Sequence, residues 1–148
     1  MSIISIIQSC ALAVNVPSVP TGPFFAHSEQ HEFNLSDDVS LPIIYLEHPI
    51  KGVDRYLPQG NAETTYTLNV FLLDKSNLDD LITQRQAIID KMHQIKRQFI
   101  LRLRQHVDVK GISSLTHMEV YNLLDLNLDG LWLTLTLTII DKDAVCLT

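Results

Sequence analysis

Residues 131–139 constrain the fold more than any other stretch, because a leucine or isoleucine stands at every second position. A period of two places these side chains on one face of an extended strand. The opposite face carries Trp132 and then Thr134, Thr136 and Thr138. We predict a β-strand with one face in the core and a neutral second face that another chain covers. The alternative is an ordinary solvated face, since threonine favours strands.

A second strand is predicted over residues 118–128, where apolar residues also alternate. Asp129-Gly130 follows it, and this dipeptide is typical of two-residue hairpin turns. The sequence therefore predicts an antiparallel hairpin of residues 118–128 and 131–140. Its leucines at 131, 133, 135 and 137 are expected to face a long helix.

Residues 76–106 carry a helical pattern. Ser76 and Asn77 are typical N-cap residues, and Asp79 or Asp80 can complete a capping box. An apolar repeat with three–four spacing follows, formed by Leu78, Leu81, Ile88, Met92, Ile95, Phe99 and Leu103. Arg85 interrupts it. An unbroken helix would be roughly 45 Å long, which is long for a small domain, so a break near Gln98 is also compatible with the pattern.

The first part of the chain divides into a helix and an arm. Ile3, Ile7, Cys10 and Val14 recur at helical spacing, which predicts an amphipathic helix over residues 1–16. A signal peptide is less favoured, because no Lys or Arg precedes the apolar stretch, which is also too short and too polar to span a membrane. A proline-rich and polar arm over residues 17–40 follows.

Two further strands and the overall composition complete the fold prediction. Residues 41–48 and 64–74 have strand character, with a loop or splayed hairpin tip between them. We predict an α+β fold of one domain, residues 1–148: a single mainly antiparallel β-sheet with a long helix and a short N-terminal helix packed on one face. The net charge of −6 argues against nucleic-acid binding.

Residues 125–136 resemble the opening of a calcium loop. Asp125, Asn127, Asp129 and Gly130 match the pattern, but position twelve is Thr136 where a bidentate glutamate is needed. The flanking segments alternate with period two and are not helices. We therefore predict no calcium site.

The histidines and cysteines give no complete site. His27 and His31 stand four apart with Glu29 and Glu32 nearby, but no third ligand is specified and the segment is irregular. We predict solvated histidines, with metal binding as the alternative. Cys10 and Cys146, at opposite ends of the chain, are read as small buried residues in a reducing compartment, with a disulfide less favoured.

The long helix carries a run of basic residues at Lys91, Lys96, Arg97, Arg102 and Arg104. The simplest interpretation is the solvated face of an amphipathic helix. A second is that this face, with Arg97 and Arg104 stacked two turns apart, meets an acidic patch on an identical neighbour. Together with Trp132 and the three threonines, these arginines form the predicted subunit interface.

No nucleophile elbow, phosphate-binding glycine loop or zinc-protease motif occurs, so the sequence gives no reason to predict an enzyme or a cofactor. The chain does resemble tail terminator (tail-completion) proteins of tailed phages from about residue 30 to 141. The resemblance is carried by "HEFNLSDDVSLPIIYLEHPI", by "TYTLNVFLLDKSNLDDLITQRQAIIDKM" and by "LLDLNLDGLWLTLTLTII".

The resemblance implies a structural protein of the virion. Such proteins form rings, commonly hexamers, that cap the finished tail tube and present a surface to the head–tail connector. It therefore implies the chain itself, the tail tube protein and the connector or neck protein as partners, and a place in the tail or neck after assembly in the host cytoplasm. It transfers no functional residue, and the N-terminal helix and the proline-rich part of the arm depart from it. The alternative is a small bacterial binding module, metal-binding through His27 and His31.

Overall fold

The computed structural model describes residues 2–29, 32–33, 40–58, 60–77, 81–123 and 127–141. Within them the chain forms two helices, α1 (Ile3–Leu12) and α2 (Ile82–Gln105). It also forms the strands β1 (Phe24–Glu29), β2 (Ile43–His48), β3 (Lys51–Tyr56), β4 (Ala62–Lys75), β5 (Val109–Leu123) and β6 (Leu128–Asp141).

The strands form one sheet in the order β1-β2-β4-β6-β5, with β3 also paired to β4. β1 and β2 are parallel, and the other pairs are antiparallel. Both helices pack against this sheet, so the predicted α+β fold with a mainly antiparallel sheet is confirmed.

The main core lies between the sheet and the helices, and we call this face of the sheet the helix side. The predicted leucines at 131, 133, 135 and 137 are all buried there. Ile89, Met92, Ile95, Phe99 and Leu103 of α2 and the buried side of α1 pack in the same cluster. The alternation of the sequence therefore predicted correctly which face of β6 enters the core.

The predicted hairpin forms, but its turn was placed wrongly. β5 and β6 pair antiparallel from Leu123 opposite Leu128, so the turn lies before Leu128, and Asp129 and Gly130 are residues of β6. Gly130 is needed for close packing: a Cβ there would lie 1.8 Å from the carbonyl oxygen of Leu72 on β4. The neighbouring strand, and not a tight turn, therefore explains this glycine.

The predicted start of the long helix was also wrong. Helix α2 begins after Leu81, whose backbone N–H donates to Gln84 Oε1 at 2.9 Å. Ser76 is buried instead, and its hydroxyl donates to the carbonyl oxygen of Asn127. Asp79 and Asp80 lie outside the described residues. The helix then continues without a break past Gln98 to Gln105.

Residues 17–40, predicted to be an irregular arm, contain a strand. β1 pairs in parallel with β2, with Phe24 opposite Ile43 and Glu29 opposite His48. The N-terminal helix was predicted correctly in kind, with shorter bounds, and Ile3, Ile7, Cys10 and Val14 are all buried. Between β2 and β4 the sequence predicted a loop or a splayed hairpin tip. The hairpin is correct, because β3 pairs antiparallel with β4.

Candidate subunit interface

The residues predicted to form a subunit interface lie on two separate surfaces. Arg97 and Arg104 are exposed on α2, on the helix side of the sheet. Trp132, Thr134, Thr136 and Thr138 are half-buried on the opposite face of the sheet. We call this opposite face the threonine face. Because the sheet separates the two groups, they do not form one continuous patch.

The threonine face is hydrogen-bonded within the sheet. Asn69 Oδ1 accepts from Trp132 Nε1 and from Thr134 Oγ1, each at 3.2 Å. The hydroxyls of Thr65 and Thr138 lie 2.9 Å apart across β4 and β6. These bonds satisfy the indole and two of the three predicted threonine hydroxyls without a partner chain.

An aromatic cluster covers one end of the threonine face. Phe33 stacks on Tyr45 with ring centroids 4.2 Å apart, and Phe71 stacks on Trp132 at 5.5 Å. The Tyr45 hydroxyl donates to the carbonyl oxygen of Ser28 at 2.7 Å. Burial raises the pKa of Tyr45, and three nearby glutamates, Glu47, Glu32 and Glu29, raise it further. The β1–β2 end of the sheet therefore carries concentrated negative charge.

Helix α2 carries the opposite charge. It contains six of the eleven Lys and Arg residues of the chain but one acidic residue, Asp90, which gives the helix a net charge of +5. The rest of the chain, with five basic and sixteen acidic residues, therefore carries −11. Positive charge is thus segregated onto one element of an acidic protein.

The side of α2 next to β5 combines this charge with histidines. The rings of His93 and His117 meet edge to face at 5.1 Å, and His93 Nε2 lies 3.9 Å from Glu119 Oε1. Burial lowers the pKa of His93, and the neighbouring Lys96 and His117 lower it further. This contact fixes the middle of α2 beside the middle of β5.

A groove of about 490 Å³ lies between the C-terminal part of α2 and β5. We call it the α2–β5 groove; its walls include Ile100, Arg104, Lys110, Ile112, Ser114 and Leu115. Lys110 is held by Glu63, with Nζ and Oε1 2.6 Å apart. The groove therefore combines aliphatic side chains with two cationic side chains, Arg104 and Lys110, along β5.

Strand β5 is the last described strand of the sheet, and eleven of its 15 residues are exposed. No described strand pairs with its outer edge. Leu115, Met118 and Tyr121 are exposed apolar side chains along it. A long open edge offers backbone N–H and C=O groups to another strand. The sequence analysis missed this edge, because Val109, Ile112 and Leu115 stand three apart, across two shifts of the strand register, and so do not alternate.

The metal-ligand alternatives take a different form in the structure. His27 approaches His48, with Nδ1 and Nε2 3.1 Å apart, while His31 lies outside the described residues. Asp125 of the rejected calcium loop is also outside them. Asp129 is fully buried near Arg85. Within the described part of the chain, no three His, Cys, Asp or Glu side chains are grouped closely enough to hold a metal ion.

The comparisons with known proteins add no family. No protein-family model matches the chain. A search of curated proteins also finds no match. Among the described residues, no helix combines the length and the apolar character needed to cross a membrane.

Proposed function

We propose that this chain is a ring-forming tail terminator of a tailed phage, or a closely related neck component. The observation that carries the proposal is a sheet that ends in the open edge of β5, beside a basic helix, in a chain that is otherwise acidic. Such a subunit has two different complementary patches, which is the requirement for head-to-tail association that closes into a ring. The α+β fold, with helices packed on the sheet, is also the fold that the resemblance to tail terminator proteins implies.

The proposed action is geometric. Identical subunits, six in the form common for this family, associate until the ring closes on the end of the tail tube. The closed ring stops further addition of tube protein and presents a new surface to the connector of the head. Ring closure needs no catalytic residue, cofactor, nucleic acid or membrane. The proposed location is the tail or neck of the virion, after assembly in the host cytoplasm.

The decisive test is electron microscopy of virions produced without this gene. Overlong tails are expected because tube growth lacks its stop. Heads and tails are expected to remain unjoined because the connector lacks the surface that the ring presents. A plasmid copy of the gene should restore normal particles. Normal infectious particles in the deletion strain would contradict the proposal.

The alternative of a metal-binding module rests on the close approach of His27 and His48. A ligand that binds only the folded state must raise the melting temperature. We expect neither zinc nor calcium to do so. A rise with zinc that disappears in His27→Ala would favour the binding module, and a rise with calcium that disappears in Asp125→Ala would restore the calcium loop.

A further inference from the structure

The two ends of the sheet differ in a way that favours contact between unlike edges. β5 forms one end, beside the basic α2, and β1 forms the other, near Glu29, Glu32 and Glu47. Four strand-to-strand steps separate them, about 19 Å at the usual spacing. Opposite charge at opposite ends sets the register of a head-to-tail contact.

Pairing of β5 with β5 of a second copy is disfavoured by the same charges. A two-fold pair centred near Thr116 would bring the middles of both α2 helices together, because His93 contacts His117. Arg97 lies one turn from His93 on this helix. The contact would therefore place Arg97 and Lys96 of one copy against the same cations of the other, which repel.

Strand β1 fits the α2–β5 groove in direction. β1 and β2 run parallel, and each later step across the sheet is antiparallel, so β5 runs opposite to β1. If a second copy extends the sheet with its helices on the same side, its β1 lies antiparallel to β5. Antiparallel pairing is the slightly more stable arrangement.

The side chains of β1 also suit the groove. Phe25 packs toward the helix-side core, so His27 and Glu29 face the helix side by alternation. With Phe25 of the second copy opposite Leu115, which also faces the helix side, antiparallel pairing brings its Glu29 to the Lys110–Ile112 region. Arg104 lines the groove there, and Phe24, 45% exposed, would lie against Thr116.

We propose that the α2–β5 groove receives the β1 edge of a second copy of this chain, so that the sheet continues across the subunit boundary with Glu29 beside Arg104. This inference deepens the ring assembly proposed above and names its two contacting edges. The ion pair sets the register, while the backbone of β5 and the aromatic end of β1 supply the contact area.

Cysteine cross-linking of purified full-length protein tests the pairing. In a Cys146→Ser background, Phe24→Cys and Thr116→Cys are combined and treated with a short bis-maleimide at high protein concentration. Because each subunit then carries both halves of the contact, a ladder of multimers is expected. Phe24→Cys alone and Thr116→Cys alone should remain uncross-linked. Dimers formed by Thr116→Cys alone would show a two-fold contact between β5 strands. Absence of a ladder with the double variant would show that β1 does not pair with β5. Either result overturns the proposal.

A charge exchange in the same double-cysteine background tests the register. Arg104→Glu alone and Glu29→Arg alone should each lose the ladder, because like charges then meet at every boundary. Mixing the two proteins should restore it, since both boundaries of an alternating assembly again join opposite charges. Arg102→Glu, a matched reversal on the same helix, should keep the ladder. Failure of the mixture to recover would overturn the pairing of Glu29 with Arg104.

These measurements use isolated protein and need no tail. A ladder together with normal tails in the deletion strain would support this interface and contradict the tail function. Overlong tails without a ladder would support the tail function and contradict this interface.

Discussion

Gly130 lies where β4 and β6 approach too closely for any side chain. A Cβ at this position would meet the Leu72 carbonyl carbon and oxygen and the Leu73 Cα, all backbone atoms that cannot move aside as a flexible side chain can. Its neighbour Asp129 is fully buried. Asp129-Gly130, a dipeptide typical of turns, therefore lies within β6, where the glycine lets β4 approach closely.

Gly130→Ala should strongly destabilise the fold, because the added methyl group collides with β4. The expected loss is about 1–3 kcal/mol or more, the range for overpacking of a core. Urea denaturation followed by tryptophan fluorescence measures it. Gly111→Ala on β5 is the matched control, since a Cβ there meets nothing within 4 Å. Equal stability of the two variants would contradict the close approach.

Leu135→Ala should cost about 2–5 kcal/mol, because it removes a fully buried side chain and leaves a cavity between β6 and α2. The same substitution at Leu101, which is 45% exposed, is the control and should change the free energy of unfolding by less than about 0.5 kcal/mol. A small loss at Leu135 would mean that the faces of β6 are inverted.

At the scale of elements, ionic contacts attach α2 to the sheet. Asp74 and Asp129 lie opposite each other on β4 and β6. Lys91 binds Asp74, and Arg85 Nη1 lies 4.0 Å from Asp129 Oδ2. The arginine that interrupts the apolar stripe is therefore the cation nearest this buried carboxylate, although it makes no hydrogen bond to Oδ2. Its Nη2 donates instead to Asn122 Oδ1 at 3.2 Å.

Arg85→Met should destabilise the protein by about 3–5 kcal/mol, because it leaves the buried charge of Asp129 without a cation. The double variant Arg85→Met/Asp129→Asn should lose less than the sum of the two single losses, since no charge is then stranded. Chemical denaturation of the four proteins gives this coupling. Additive losses would show that the two side chains do not interact.

The contact between α2 and β5 should make stability depend on pH through His93. Its folded-state pKa is lowered from the ordinary 6.5 by burial and then by Lys96 and His117. As pH falls through 6.5, the unfolded chain takes up the proton first, so the free energy of unfolding decreases until the lower folded-state pKa is passed. Urea midpoints from about pH 8 to about pH 5 should fall less steeply in His93→Gln. Identical slopes would contradict the lowered pKa.

At the scale of the whole molecule, charge is divided between one basic helix and an acidic remainder. Exposed pairs add little to folding, so we expect the consequence of this division in the proposed association between subunits. Two unlike sheet edges give the molecule a head and a tail, which is the property that a ring requires.

Reversing Arg97 and Arg104 together to glutamate should leave the melting temperature nearly unchanged, since both side chains are exposed. It should prevent tail completion, because the basic patch no longer attracts the acidic end of the next subunit. Electron microscopy and plating of phage that carry the double variant measure this. Normal tails and infectivity would mean that this surface is merely solvated.

The sequence by itself determined the helices, the central strands and the α+β class, because the period of apolar residues records directly which face of each element is buried. It also identified the basic helix face. It missed β1, a short strand whose pairing depends on β2, and it placed Asp129-Gly130 in a turn when both residues belong to β6. Only the tertiary structure decided that the arginines and threonines lie on opposite faces and that no described strand pairs with the outer edge of β5. These features depend on distant neighbours, which local periodicity does not encode.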